Sequence, residues 1–424
     1  LRKCIDEAYD KKFHSEFIAP LVKADGTFFL ELFHGPTLAF KDMALSILPH
    51  LMKTAAKTLN IEDEIVILTA TSGDTGKAAL QGFSGVEGTK IIVFYPENGV
   101  SKVQKKQMIT QEGSNTFVVG INGNFDDAQT GVKKIFTSKN IKDKMKQKKM
   151  MFSSANSINI GRLVPQVVYY FNAYFTLLRR KEIKEGENIN FVVPTGNFGD
   201  ILAGFYAKKM GLPIDKLICA SNDNKVLYDF MNTGVYDRKR KFYTTISPSM
   251  DILISSNLER LIYEISGKDS KETKKMMDML MNDGEYKITA EMKSKLSDFY
   301  GGYATEAETR KSIKELYDKS GYLMDTHTAV AYSVYQKYKK NIHNAKKTVV
   351  VSTASPFKFT KAVMSSIDEK YKDYDDFELI NIMSSMSGIE VPEEIKNLDK
   401  KPVLHTAVCE KEDMLKSVEK ILKL

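Results

Sequence analysis

Residues 64–80 read Glu-Ile-Val-Ile-Leu-Thr-Ala-Thr-Ser-Gly-Asp-Thr-Gly-Lys-Ala-Ala-Leu. The first seven form a continuous apolar, β-branched run, which suits a strand covered on both faces, as in a parallel sheet. The next six, 71–76, are polar and carry two glycines, and the small residues after them open a helix. A strand, a turn exposing backbone N–H groups and hydroxyls, and a helix N-terminus together make a cradle for a carboxylate or a phosphate. The same residues also suit an ordinary strand–helix turn capped by Ser72 or Asp74. Gly76-Lys77 gives the loop a superficial likeness to a nucleotide-hydrolysing loop. That reading fails, because Thr71 stands at the first glycine position and Ala78 replaces the hydroxyl that would hold magnesium.

Outward from this unit, five more runs read as buried strands: 90–95 (KIIVFY), 116–120 (TFVVG), 189–193 (INFVV), 216–220 (KLICA) and 347–352 (KTVVVS). Helical periodicity fills the intervals. One example is Ala44, Ile47, Leu48, Leu51, Met52 and Ala55, where Pro49 predicts a kink or break. Strands alternating with helices imply an open α/β fold, in which ligands collect where strands end and helices begin. Four polar segments occupy such places: 71–76, 153–159 (SSANSIN), 194–200 (PTGNFGD) and 352–356 (STASP). In 194–200, Gly196 and Gly199 allow close backbone approach to an anion, and the helix starting near Asp200 offers its positive end. The spacing is not that of a dinucleotide loop, so a phosphate without a nucleotide fits better.

Composition narrows the class. The chain has 424 residues, 42% hydrophobic and 27% charged, which allows two or three domains and a large core. No apolar run approaches the roughly 20 residues that span a bilayer. Cys4, Cys219 and Cys409 form no CxxC pair, so a reducing, cytoplasmic setting is expected, and the six histidines show no zinc-ligand spacing. The net charge is +8, partly from residues 142–149 (KDKMKQKK). That run lacks interleaved aromatics and reads as a solvated helix face, not a nucleic-acid patch.

Lys41 has an unusual setting. It follows Phe40 and precedes Ala44, Leu45 and Leu48 by three, four and seven residues, offsets that turn its side chain towards a buried helix face. A desolvated lysine is more readily neutral, as a Schiff base requires. A lysine snorkelling from a helix start has the same sequence appearance. Ser101 and Gln104 form a capping-box pattern, mainly structural, although Ser101, Lys102 or Gln104 could also touch a ligand. Arg162 suits either a bidentate phosphate contact or a surface ion pair.

The string LELFHGPTLAFKD at 30–42 resembles the cofactor-lysine segment of threonine synthases of the bacterial and fungal type. The segments at 68–76, 154–159, 194–200, 247–252 (SPSMDI), 325–330 (DTHTAV) and 352–359 (STASPFKF) are similar to that family's, in the same order. The resemblance covers most of the chain. It implies a fold-type II, pyridoxal-phosphate-dependent enzyme, tryptophan synthase β-like, with two open twisted α/β domains and the cofactor between them. The expected division is a remnant of an N-terminal segment at 1–27, a large cofactor-binding domain at 28–60 plus 180–424, and a smaller α/β domain at 61–179.

The implied reaction converts O-phospho-L-homoserine and water to L-threonine and phosphate. Lys41 would carry the cofactor as an internal aldimine and then act as acid and base. Gly196, Asn197, Phe198 and Gly199 would cradle the cofactor phosphate, Asp200 would also bind the cofactor, and Thr353 would hydrogen-bond its pyridine nitrogen. Thr71, Ser72, Gly73, Asp74 and Thr75 would receive the substrate carboxylate, in a loop expected to close with the smaller domain. Asn156, Ser157 and Arg162 would hold the substrate phosphate. Where Asp74 stands, many fold-type II relatives carry asparagine, so this carboxylate needs a proton or a compensating donor. No metal, nucleic acid or membrane is implied, and the chain is expected to be a monomer or homodimer. The rival readings are another fold-type II enzyme, such as a serine or threonine dehydratase, and a catalytically dead homologue that binds a phosphorylated metabolite.

Overall fold

Each of the six apolar runs forms a strand. The structure, a computed structural model, describes residues 1–15, 17–71, 73–342 and 346–424. Among the described residues the strands are β1 (Leu21–Ala24), β2 (Thr27–Glu31), β3 (Glu64–Ala70), β4 (Thr89–Pro96), β5 (Thr116–Asn122), β6 (Met150–Ser153), β7 (Ile189–Pro194), β8 (Ile214–Ser221), β9 (Val235–Asp237), β10 (Glu285–Lys287), β11 (Phe299–Tyr303), β12 (Thr348–Ser352) and β13 (Ala407–Glu410). They build a six-stranded sheet in the order β1-β2-β12-β7-β8-β11 and a five-stranded sheet in the order β13-β5-β4-β3-β6, while β9 and β10 pair separately. The five-stranded sheet is parallel throughout, and the larger one is parallel apart from its β1–β2 edge.

The two-residue period of a strand feeds two cores per sheet. In the larger sheet, Phe191, Val193, Val349 and Val351 enter one cluster while Val192 and Val350 enter the other. In the smaller sheet, Val66, Leu68 and Ala70 face one cluster and Ile65 and Ile67 the opposite one. Helices therefore cover both faces, which explains why these strands read as continuous apolar runs. Pro49 does break its helix: Asp42–Leu45 ends and Leu48–Thr58 begins with the proline in its first turn, where a missing N–H costs nothing. The lysine-rich helix Lys139–Gln147 buries Ile141 and Met145 and turns most of its lysines outward.

The expected extents of the two bodies are corrected at several boundaries. β13 pairs with β5, and Met414, Val418 and Leu422 of the final helix join the smaller sheet's core, so 407–422 does not belong with the larger sheet. Leu163, Tyr169, Tyr170, Tyr174 and Leu177 pack on the larger sheet, although 61–179 was the expected smaller unit. Leu48 packs with the smaller sheet, and β1, inside 1–27, edges the larger one. The short helix Asp42–Leu45 bridges the two bodies, with Met43 in the larger core and Leu45 in the smaller. No helix of the described residues is long and apolar enough to cross a membrane. No group of three or more His, Cys, Asp or Glu among them is placed to hold a metal ion.

Candidate active site

Lys41 sits at the head of that bridging helix and is buried, which removes the snorkelling alternative. Its amine lies 4.6 Å from the Phe40 ring centroid and 3.7 Å from Asp74 Oδ2. Burial pulls the amine down to about 8; Asp74 pushes it back up, while Arg162 and Lys358 add to the fall. The segment before it is fixed by Asp42, whose carboxylate accepts from Thr37 N–H at 2.8 Å and from the Thr37 hydroxyl. Phe40 N–H donates to the Thr353 carbonyl at 2.8 Å, which ties the lysine to the end of β12.

Asp74 opens the helix after β3 and is itself buried. Burial alone would raise its carboxyl, but the Lys358 and Lys41 ammonium groups override that and hold it well below the ordinary carboxylate range. Gln104 donates from Nε2 to Asp74 Oδ1 at 2.8 Å and Lys358 reaches the same oxygen at 2.5 Å. These are the compensating donors a carboxylate here requires. Gln104 also completes the capping box with Ser101, so its structural and site roles coexist. Within the loop, the Thr71 hydroxyl oxygen accepts from Gly73 N–H at 2.9 Å and Gly76 N–H at 2.8 Å, so it shapes the turn from inside. Gly73 has φ +133°, a region side chains rarely tolerate. Thr75 is half-buried in the first helical turn, and Ser72 lies outside the described residues.

The 194–200 segment makes the second cradle. A Cβ on Gly196 would lie 2.7 Å from the Ser249 carbonyl oxygen, so only glycine fits. The carbonyls of this loop are secured from behind. Ser255 Oγ donates to Gly196 O at 2.8 Å, and Asn257 donates to Asn197 O from its backbone at 3.1 Å and from Nδ2 at 3.0 Å. Phe198 takes a left-handed conformation, φ 61°, held by its burial against Phe299. This turn starts the helix Gly199–Lys209, whose N-terminus favours an anion. Asp200 Oδ1 accepts from the Tyr169 hydroxyl at 2.6 Å and the Tyr170 hydroxyl at 2.7 Å, and burial raises its carboxyl to about 6. The side chain is thus committed to two tyrosines, while Oδ2 is buried without a hydrogen-bond partner.

The third segment, 153–162, approaches both. Helix Ile160–Leu163 packs against Asp42–Leu45 and Gly199–Lys209. Arg162 is 4% exposed, which excludes a surface ion pair; it donates to the Ala155 carbonyl at 3.1 Å, and its Nε has no partner. A buried guanidinium without a carboxylate is costly unless something anionic answers it. Asn156 Oδ1 accepts from the Thr69 hydroxyl, and Ser157 Oγ lies 3.5 Å from Ser256 Oγ. Arg260 binds Asn257 Oδ1 and the Ile158 carbonyl, so residues 255–260 link this segment to the 196–199 loop.

Several residues here have no assigned role in the sequence reading: Lys358, Ser255, Asn257, Arg260 and the pair Asp325–His327. His327 Nδ1 meets Asp325 Oδ1 at 2.8 Å, and its Nε2 accepts Ser249 N–H at 3.1 Å, fixing the backbone that walls Gly196. Lys358 and His327 lie inside the quoted SPFKF and DTHTAV strings, yet nothing in their spacing states what they touch.

Residues 13–354 match the family described as pyridoxal-phosphate dependent enzyme, and 328–421 match the threonine synthase C-terminal family. The chain is 39% identical to threonine synthase-like 1 of Macaca fascicularis over 99% of its own length, and spans 55% of that protein. It is 37% identical to threonine synthase of Pseudomonas aeruginosa, covering 85% of this chain and 74% of that one. It is also similar to the crystal structure of threonine synthase from yeast (TM-score 0.87, 32% identity, 100% of this chain and 83% of that one). The PLP-bound threonine synthase from Brucella melitensis gives TM-score 0.84 at 37% identity, covering 99% of this chain and 83% of that one. A buried amine, a glycine cradle that a Cβ would fill, and a helix N-terminus behind it fit pyridoxal phosphate. The chain is a fold-type II, pyridoxal-phosphate-dependent protein and belongs to the threonine synthase family.

Proposed function

We propose that this chain converts O-phospho-L-homoserine and water to L-threonine and inorganic phosphate. The observation that carries the reading is Arg162, buried with an unpartnered Nε beside Lys41, which suits a second anion besides the cofactor phosphate. Asn156 and Ser157 belong to the same short segment.

Lys41 would hold the cofactor covalently, Gly196, Asn197, Phe198 and Gly199 its phosphate, and Thr353 its ring nitrogen, with Asp200 bracing the cradle through its tyrosines. When bound, the cofactor supplies an electron sink that acidifies the substrate's α- and β-hydrogens. The 71–75 loop would orient the substrate carboxylate through the hydroxyl and backbone donors of Ser72 and Thr75, with Gly73 allowing close approach while its own N–H is taken by Thr71; Thr71 shapes that loop and Asp74 stands at its base. Arg162, Asn156 and Ser157 hold the γ-phosphate and stabilise it as it leaves with its electron pair. The Lys41 amine, neutral in a useful fraction near neutral pH, takes the α-proton and then a Cβ proton as phosphate leaves Cγ, and it returns protons to Cγ and finally to Cα. The buried walls exclude water until phosphate has gone, and water then adds at Cβ.

The decisive assay is phosphate release from O-phospho-L-homoserine by cofactor-loaded protein, with threonine identified as product. Ammonia release from threonine, with no phosphate release, would refute this reading in favour of a dehydratase. Neither product would refute both.

A further inference from the structure

Asp74 lies between two lysines. Its Oδ2 faces the Lys41 amine at 3.7 Å, beyond hydrogen-bonding distance, while its Oδ1 is held by Lys358 at 2.5 Å and Gln104 at 2.8 Å. Lys358 is wholly buried at the end of the turn Pro356–Lys358, and its ammonium also donates to the Thr37 carbonyl at 2.9 Å. It therefore clamps two things together: the segment that carries Lys41, and the carboxylate that follows β3 of the other sheet. A buried ammonium is tolerated only with such partners.

We propose that Lys358 is a positioning residue for Lys41: by engaging Asp74 through Oδ1 it takes up that carboxylate's charge and leaves the Lys41 amine without a full counter-ion, free to lose its proton. This deepens the reading above and rests on Lys41 being the cofactor lysine. The charged groups facing Lys41 are Asp74, Arg162 and Lys358, with Asp200 on the side of the Gly199–Lys209 helix. Asp200 is engaged by two tyrosines, and Arg162 by a backbone carbonyl. Asp74 is thus the anion nearest the amine, and Lys358 decides how much of it Lys41 feels. An asparagine at 74 would need no such lysine. A carboxylate does.

The test is competitive acetylation of the cofactor-free chain across pH, with the Lys41 peptide followed by mass spectrometry. Lys358→Gln removes the charge while leaving a polar donor on a side chain one bond shorter, and Lys358→Met removes both charge and donor. In each folded variant the Lys41 midpoint rises by about one pH unit or more, that is, about tenfold fewer neutral amines at a given pH below it. Adding Asp74→Asn to Lys358→Gln returns the midpoint to the native value or below. An unmoved midpoint in folded Lys358→Gln, or a rise that persists with Asp74→Asn, overturns the proposal. A purely structural lysine would lower the melting temperature and leave the midpoint in place. Neither cofactor nor substrate enters this assay, so a failed phosphate-release experiment and a failed Lys358 experiment are distinguishable.

Discussion

Burial is the largest influence on Lys41, and it can be measured without any ligand. The amine of an ordinary lysine, which titrates at 10.5, is neutral in about one molecule in 3,000 at pH 7. At a value of about 8, roughly one in eleven is neutral, an advantage of about 300-fold for any reaction that needs the free amine. Trace acetylation of the cofactor-free chain between pH 6 and 11, scored per peptide, gives the midpoint whatever the absolute accessibility. A lysine in an added unstructured peptide serves as the reference. Lys41 labelling then flattens above about pH 8 to 9, while the reference peptide continues to rise. Lys77, also drawn down to about 8 by burial but tied to Gln111 and Gln81, behaves as Lys41 does. A depressed amine is thus a product of enclosure and not, alone, a mark of catalysis. If Lys41 titrates alongside the reference peptide, enclosure does not set its reactivity and the electrostatic account of this site is refuted.

Three further outcomes follow from the geometry. Gly196→Ala drives a Cβ to 2.7 Å from Ser249 O and 3.2 Å from Met250 Cα, both backbone atoms; an overpacking cost of about 1–3 kcal/mol weakens cofactor binding roughly tenfold to a hundredfold in an absorbance titration. Arg162→Gln, by losing a charge-assisted contact worth about 1.5–3 kcal/mol, raises KM for O-phospho-L-homoserine roughly tenfold to a hundredfold, with cofactor affinity unchanged. Burial raises Asp200 to about 6, above its free value, so the stability this group contributes is fully present below about pH 4 and lost as pH rises through about 6. Asp200→Asn therefore stabilises the cofactor-free chain at pH 8, by about 1–3 kcal/mol in urea unfolding, and less at pH 5. An equal effect at both pH values would remove ionisation as the cause.

The sheets were legible because parallel strands buried on both faces advertise themselves by unbroken apolar runs, and β3 matches its run to the residue. The edges were not. β6, with its half-exposed Met-Met-Phe-Ser, carries no such run, and β13 is exposed along most of its length. Helix Val167–Arg179 sits just past a strand of one sheet yet buries Tyr169, Tyr170 and Tyr174 against the other, and no local pattern states which partner an apolar face will find. At the site, the anion loops were visible from glycines at strand ends. Lys358 was not, because a lysine after Pro-Phe has no local signature of complete burial; only the carboxylate at 74, which needed a donor, hinted that some cation must come to it. Asn257 and Ser255 act through backbone carbonyls 60 and 59 positions away, a relation that residue spacing cannot encode.

The return of the chain to the smaller sheet governs the order of events during folding. β13 lies beside β5, and Asn122 Nδ2 reaches Glu410 Oε1 at 2.6 Å across 288 positions. Met414 fills the space over Gly131, and Val418 and Leu422 complete the same core. During synthesis, strands β3 to β6 emerge together early, but their outer strand and one covering helix arrive after the entire larger sheet. Such long-range pairing is slow and leaves an open strand edge in the meantime. The 71–76 loop grows from this late-closing sheet, whereas Lys41 and the 196–199 loop are carried by elements available earlier. Competence to bind substrate is therefore expected to be the final property the nascent chain acquires.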